Sequence, residues 1–351
     1  MTANPDNLLG TASAPLGATT TSAAPRTVRE WLARVSLNDW IVLAYLGLLN
    51  FGVLISNSTG PERDRAWLHV AMLLIVFSTV VLGLIRGGIL THPFFCPLAF
   101  RLSHYGCIQL TYFFMRGLLP IVNPGSLDRD LHEFGVRFFG VEPALALESW
   151  ITSGTTEWFA FFYYGYFFVL GLHVIPIIFF SRHARILHEF ALGLLLVLGV
   201  GQSLYLIVPG YGPSNGLPTL FTRELPAGVW WNLVEQLVAT AGAQKDIFPS
   251  IHTAAPTFIL LFSFRNRAHL PYRYTWPLAA FFSFNIIVAT MFLRWHWLVD
   301  IVAGLALALF AYVGSVKGTR WEIEHRRRRG LPPAWPVWGK PHRAELPAAA
   351  D

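Results

Sequence analysis

Long apolar runs recur along the chain, separated by short segments that hold most of the Pro, Gly and charged residues. A helix that crosses a bilayer needs about 20 predominantly apolar residues. On that rule the pattern predicts spans near 39–57, 67–85, 104–122, 157–180, 189–208, 250–265, 276–293 and 297–315. The sixth run is short because a polar motif sits at its head. Gly87, Gly88, Pro93 and Pro97 break the stretch from Arg86 to His104, which reads as an interfacial connection.

Two long connections, 123–156 and 209–249, interrupt the apolar pattern. In the first, Leu127, Leu131, Phe134 and Phe138 recur at helical spacing, so the segment predicts a helix lying on the membrane surface, with Asp128 and Asp130 on its solvated face. The second opens with a rigid turn, Pro209 to Pro213. The chain thus divides into a disordered tail (1–38), two leading spans with their connection (39–103), a six-helix core (104–316) and a basic tail (317–351). The expected class is an all-α, polytopic membrane protein of about eight transmembrane helices.

Composition sharpens this picture. Of 351 residues 54% are hydrophobic and 13% charged, against roughly a quarter charged in soluble domains. The formal net charge of +6 does not point to nucleic acid, because the basic residues lie between apolar runs rather than along one amphipathic face. Their distribution orients the chain instead. One side receives Arg26, Arg29, Arg34, Arg86, Arg101, Arg182, Arg185, Arg265, Arg267, Arg273, Lys317, Arg320, Arg326 to Arg329, Lys340 and Arg343. The other receives only Arg63, Arg65, Arg129, Arg137, Arg223, Lys245 and Arg294, with Arg116 inside the third span. The positive-inside rule puts both termini in the cytoplasm of a cell bounded by this membrane. Cys96 and Cys107 then lie toward the cytoplasm, where no disulfide is expected. The first 25 or so residues, rich in Ala, Thr, Ser, Pro and Gly, lack a basic and apolar leader pattern and read as a disordered tail.

Candidate chemistry concentrates in two stretches that this topology brings to the outer face. In ATMFLRWHWLVDIVAG (Ala289 to Gly304), His296 and Asp300 are four apart, so on a helix the carboxylate can accept the imidazole N–H and prepare a histidine nucleophile. A purely interfacial role for these polar groups competes with that reading. In FPSIHT (Phe248 to Thr253), Pro249 suits a first helical turn and leaves the N–H groups of Ser250, Ile251 and His252 free to seat a phosphate oxygen. One histidine would attack phosphorus while the other protonates the leaving oxygen. A zinc site is the competing use of such a cluster, but neither HExxH nor paired CxxC spacing occurs, so no metal or other cofactor is expected. The aromatic stripe Tyr163, Tyr164, Tyr166, Phe167 and Phe168 reads first as span packing and second as the wall of a lipid path.

FPSIHT and RWHWLVDIVAG resemble the second and third signature motifs of the type 2 phosphatidic acid phosphatase superfamily, a multi-helix fold that works through a phosphohistidine without metal. The resemblance implies His296 as nucleophile, Asp300 as its orienting partner and His252 as general acid. The sequence departs from that pattern in three places: Ile251 replaces the usual glycine, no lysine-arginine first motif is present, and the arginine expected six before the nucleophile is Thr290. The Pro-Ser-aliphatic-His motif, YLIVPGYGP (Tyr205 to Pro213) and the FFGVEP-to-FFYYGYFF region resemble the inositolphosphotransferase branch, which includes inositol phosphorylceramide synthases. Charge on the transferred group would then fall to Arg294 first, with Lys245, Arg223 and Arg116 as further candidates, and Ser250 at the phosphate seat. The implied activity is transfer of a phospho-group from a lipid donor to an alcohol acceptor such as a polyol, at the extracytoplasmic face of the cytoplasmic membrane. Hydrolysis of a lipid phosphate is the alternative, and a transporter or scaffold that keeps the fold without catalysis is the rival from another class.

Overall fold

The computed structural model describes residues 24–338 apart from Arg182 and the side chain of Ala241. Residues 1–23, Lys340 and Arg343 lie outside the described residues, so most of the expected disordered tail does too. The described chain is helical, with one isolated bridge between Gly210 and Asp246.

Helix α1 (Val28–Arg34) lies within the segment expected to be a tail, and α2 (Leu37–Ile55) follows at once. Ser36 and Asp39 cap α2 reciprocally, each side chain bonding the other's backbone N–H. Pro61 begins α3 (Pro61–Phe77), which continues through wide turns as far as Ile85. Helix α4 (Phe95–Val122) starts well before the expected 104. Pro97 falls in its first turn, where a missing N–H costs nothing, so the prolines that suggested a break instead mark a helix start. The surface helix α5 (Asp128–Phe139) and the short α6 (Pro143–Ala146) lead to α7 (Ser153–Val174), which continues to Phe180. Then come α8 (Ala184–Tyr205), the short α9 (Pro213–Gly216) and α10 (Val229–Ala241), a helix the sequence pattern did not single out. Glu157 on α7 receives the N–H groups of Trp230 and Trp231 and so caps α10. The chain continues as α11 (Ile251–Arg265), α12 (Tyr272–Phe292) and α13 (Leu298–Arg328).

Eight of these helices answer the eight expected spans. Six are long and apolar enough to cross a membrane by length and composition. The other two are α4, which carries Arg101, His104 and Arg116, and α11, which has only 15 residues. Helix α11 packs against α7, α8, α12 and α13, so it is central and needs little lipid-facing surface, while α2, α3 and α4 form a second group leaning on α8. Close approach at the centre depends on missing side chains: a Cβ on Gly304 would sit 2.6 Å from the Ser250 carbonyl oxygen. This contact holds the starts of α11 and α13 together, and both candidate histidines stand there.

The opposite end of the bundle is knit by buried charge. Asp39 accepts from Arg86 at 2.7 Å and lies 3.0 Å from His104, and Arg326 meets Glu322 at 2.9 Å. Helix α13 does not stop near 316 but runs 31 residues, about 46 Å at 1.5 Å per residue, and so outlasts a hydrocarbon core of about 30 Å. The chain then folds back, burying Ala334 and Trp335. The Ala334 carbonyl accepts from Arg86, and that of Pro336 accepts from Arg101. Up to residue 338, the segment expected as a basic tail is thus part of the folded base. Cys96 and Cys107 are both free thiols on α4.

Candidate active site

Ser250 is the N-cap of α11, and its hydroxyl accepts from Thr253 N at 3.2 Å. Pro249 accordingly precedes the cap instead of occupying the first turn. Ser250 N is also not free, because it donates to the Asp300 carbonyl at 3.0 Å. The open donors of this helix end are the first-turn N–H groups of Ile251 and His252, which helix geometry leaves without intrahelical partners.

His296 sits in the tight link between α12 and α13. The Thr290 carbonyl accepts from both Trp295 N and His296 N, and the chain reverses through a left-handed Arg294, φ 64°. Thr290, at the position where the superfamily pattern has arginine, thus shapes this turn with its backbone. Asp300 Oδ2 accepts from Trp297 N at 2.8 Å, capping α13, and lies 3.6 Å from His296 Nδ1. That separation is longer than a hydrogen bond, and His296 Nδ1 and Asp300 Oδ1 have no hydrogen-bond partner. A small rotation of the imidazole would close it. The His252 ring centroid is 5.9 Å from that of His296, with Tyr163 stacked on His252 at 4.7 Å and Tyr166 against it at 4.4 Å. The aromatic stripe therefore splits: Tyr163 and Tyr166 are buried around His252, while Phe167 and Phe168 face outward.

His296 is 3% exposed, and burial pushes its imidazole down to about 4, opposed by the nearby carboxylate of Asp246. At neutral pH this ring is uncharged, the form in which a nitrogen lone pair can attack. Asp246 is a residue the sequence reading missed. It is partly buried, its carboxyl raised by burial, and it accepts from the Tyr112 hydroxyl at 3.1 Å. The available signal was its place in KDIFPSIHT, an acidic residue four before the cap of the motif helix. Glu142, also unforeseen, is buried against the first turn of α13, and burial raises its carboxyl to about 7.

The four candidate cations do not converge. Arg294 is nearest in sequence to His296, but its Nη2 donates to the Arg223 carbonyl at 2.7 Å and meets Glu148 at 3.4 Å, while the guanidinium lies over the Phe221 ring. Lys245 is buried, its Nζ donating to the carbonyls of Asn123 and Pro124. The Arg223 side chain is exposed, and Arg116 donates to the Ala239 carbonyl at the end of α10. Lys245 and Arg116 thus fasten loops and helix ends, as cations near free carbonyls do.

Asp128 corrects the sequence reading more sharply. It is 3% exposed and accepts from Tyr211 N, Gly212 N and Trp297 Nε1, whereas Asp130 does face solvent. The surface helix α5 is thereby bolted to the PGYGP turn and to the residue after His296. The turn tolerates nothing larger than glycine: Gly212 has φ 81°, and a Cβ there would lie 2.3 Å from the Trp295 carbonyl oxygen. Leu131 is buried, and Phe134 and Phe138 stack on each other and remain exposed at the site end.

Comparison with known proteins resolves the family of the chain. No solved structure matches the chain. One curated relative is an undecaprenyl-diphosphatase of Anaeromyxobacter sp. (strain Fw109-5), 26% identical over 209 residues that cover 56% of this chain. The matched segment spans 59% of that relative's length. The inositolphosphotransferase branch finds no support in these comparisons. The family model of the PAP2 superfamily matches residues 133–314, just over half of the 351, and the match contains both histidine motifs and the links that bring them together. The chain belongs to the PAP2 superfamily.

Proposed function

We propose that this protein is a membrane-embedded lipid phosphate phosphatase that works through a phosphohistidine. The observation that carries the reading is the pairing of His252 and His296, their rings 5.9 Å apart where α11 and α13 start together, with Asp300 beneath His296. In the first half-reaction a nitrogen of neutral His296 forms an N–P bond as the P–O bond to the lipid alcohol breaks, and His252 gives that oxygen its proton. In the second, water attacks the phosphohistidine and passes a proton to His252, and phosphate leaves with His296 neutral again. Asp300 orients the imidazole and stabilises its charged form in the transition state. The first-turn N–H groups of α11 meet the phosphate oxygens. The relative that is an undecaprenyl-diphosphatase favours hydrolysis over the transfer reading suggested by the motifs.

Transfer to an alcohol acceptor remains the second reading. It is supported by the roof over the site, where Asp128 and Glu148 fasten the two long connections and so limit access of water. The basic residues crowded at the far end support, by the positive-inside rule, a site at the extracytoplasmic face of the cytoplasmic membrane. Purified protein given a polyprenyl or diacylglycerol phosphate should release inorganic phosphate, with vanadate inhibiting, EDTA without effect, and His296→Ala inactive. Phosphate release by His296→Ala, or its loss in EDTA, refutes the mechanism. A new phosphodiester formed with an added polyol at the expense of phosphate release would establish transfer in its place.

A further inference from the structure

The carboxylate of Glu148, on the short turn after α6, is held as a bound anion would be. A single oxygen, Oε1, accepts from Thr222 N at 2.7 Å and Arg223 N at 2.6 Å, and Arg294 Nη2 stands 3.4 Å away. Two successive backbone N–H groups converging on one oxygen make an anion-binding nest, and a guanidinium completes it. Although burial pushes the Glu148 carboxyl up, the N–H groups of Arg223 and Thr222 and the Arg294 charge hold it below the usual range. Arg294 itself is 6% exposed, and its Nε has no hydrogen-bond partner, so the guanidinium retains donor capacity that Glu148 does not use. It stands two residues before His296 and faces the nest.

We propose that Glu148 occupies a phosphate seat, and that the substrate's phosphate displaces it to take Arg294 and the N–H groups of Thr222 and Arg223. The proposal rests on reading the site as one that handles phosphate, and it makes Glu148 a positioning residue that keeps Arg294 and the 217–228 segment in place until substrate arrives. A phosphate carries about −1.5 to −2 charges and three strong acceptor oxygens. It can engage the spare Nε together with Nη2 while keeping both backbone donors, which one carboxylate oxygen cannot. The seat also explains how the site works without the arginine replaced by Thr290: the cation approaches from the turn, parked on an internal anion.

The test uses inorganic phosphate and the purified full chain, with binding followed by titration calorimetry so that no turnover is required. Glu148→Gln keeps an oxygen for the two backbone N–H groups but removes the competing charge, and should bind phosphate at least fivefold more tightly than wild type. Arg294→Gln should bind it at least tenfold more weakly, and the double variant should show no gain over Arg294→Gln alone. Equal or weaker binding by Glu148→Gln overturns the proposal, as does unchanged binding by Arg294→Gln. A second measurement does not depend on altering the seat: a thiol at the exposed neighbour, in Ser149→Cys, should be labelled faster when phosphate is added, because Glu148 is released. Labelling indifferent to saturating phosphate also overturns it. An enzyme active on lipid phosphate with a flat phosphate series would sink this proposal alone. An inactive one with the expected series would sink only the proposed reaction.

Discussion

Asp128 offers the sharpest test of how the roof controls the site. Replacing it with alanine removes the acceptor for Tyr211 N at 2.8 Å, Gly212 N at 2.9 Å and Trp297 Nε1 at 3.1 Å. Of these donors Gly212 and Trp297 are buried, Trp297 completely. A buried donor left unpaired costs about 1–3 kcal/mol, so two cost about 2–6 kcal/mol. Water entering the space vacated by the carboxylate offsets part of that, leaving about 3 kcal/mol. The loss falls on the turn that holds His296, because Trp297 is the next residue and its backbone N–H is the one capped by Asp300. A displacement of about 1 Å at a reacting group costs on the order of 100-fold in rate. Initial rates of phosphate release in detergent micelles should therefore fall about 100-fold in Asp128→Ala. Asp128→Asn, whose amide oxygen still accepts, should lie in between, and Asp130→Ala should stay within twofold of wild type. Size-exclusion profiles and tryptophan fluorescence would establish equal folding. If folded Asp128→Ala works within threefold of wild type, or Asp130→Ala falls as far, Asp128 does not couple the roof to the His296 turn.

Three further outcomes rest on the electrostatics and the charge distribution. Burial sets His296 near 4 and Asp246 opposes that shift, so Asp246→Asn should move the acid limb of the kcat/KM profile to lower pH, and a limb that stays or rises refutes the assignment. The stability sign agrees: a histidine whose pKa falls from 6.5 to about 4 on folding costs stability progressively as pH drops below 6.5 through 4, which acid titration of unfolding would show. Glu224→Cys, exposed in the second long connection, should react with an impermeant maleimide in intact cells when Cys96 and Cys107 are replaced by serine; labelling only after lysis inverts the orientation.

Most of the architecture was legible because bilayer-length apolar runs state it directly. The two histidines could be placed at one end because helix counting alone returns both motifs to the same side. What escaped was set by partners distant in sequence. Asp128 looks solvated in its own amphipathic helix, and only the arrival of Tyr211, Gly212 and Trp297 buries it. Pro97 reads as a breaker until its position in the first turn of α4 is known. Lys245 and Arg116 have the charge suited to phosphate, yet backbone carbonyls claim them, and no local pattern announces a carbonyl. Asp246 needed the approach of Tyr112, from within α4, and of His296, from the link between α12 and α13, to acquire its role.

The folded-back segment after α13 sets an order of assembly. Arg86 waits for a carbonyl 248 residues further along the chain, and Arg101 for one 235 residues further. Until then Arg86 has Asp39 and Ser36, and Arg101 the carbonyls of Pro97 and Ile178, but each guanidinium keeps part of its water and the base of the bundle stays incomplete. Only when residues 334–336 emerge can the arginines shed the rest of that water against Ala334 and Pro336, with Trp335 pressed against the Phe100 ring. Closure of the base thus waits until residues 334–336 have been made, and a chain that has not reached them is distinguishable by arginines still in partial contact with solvent.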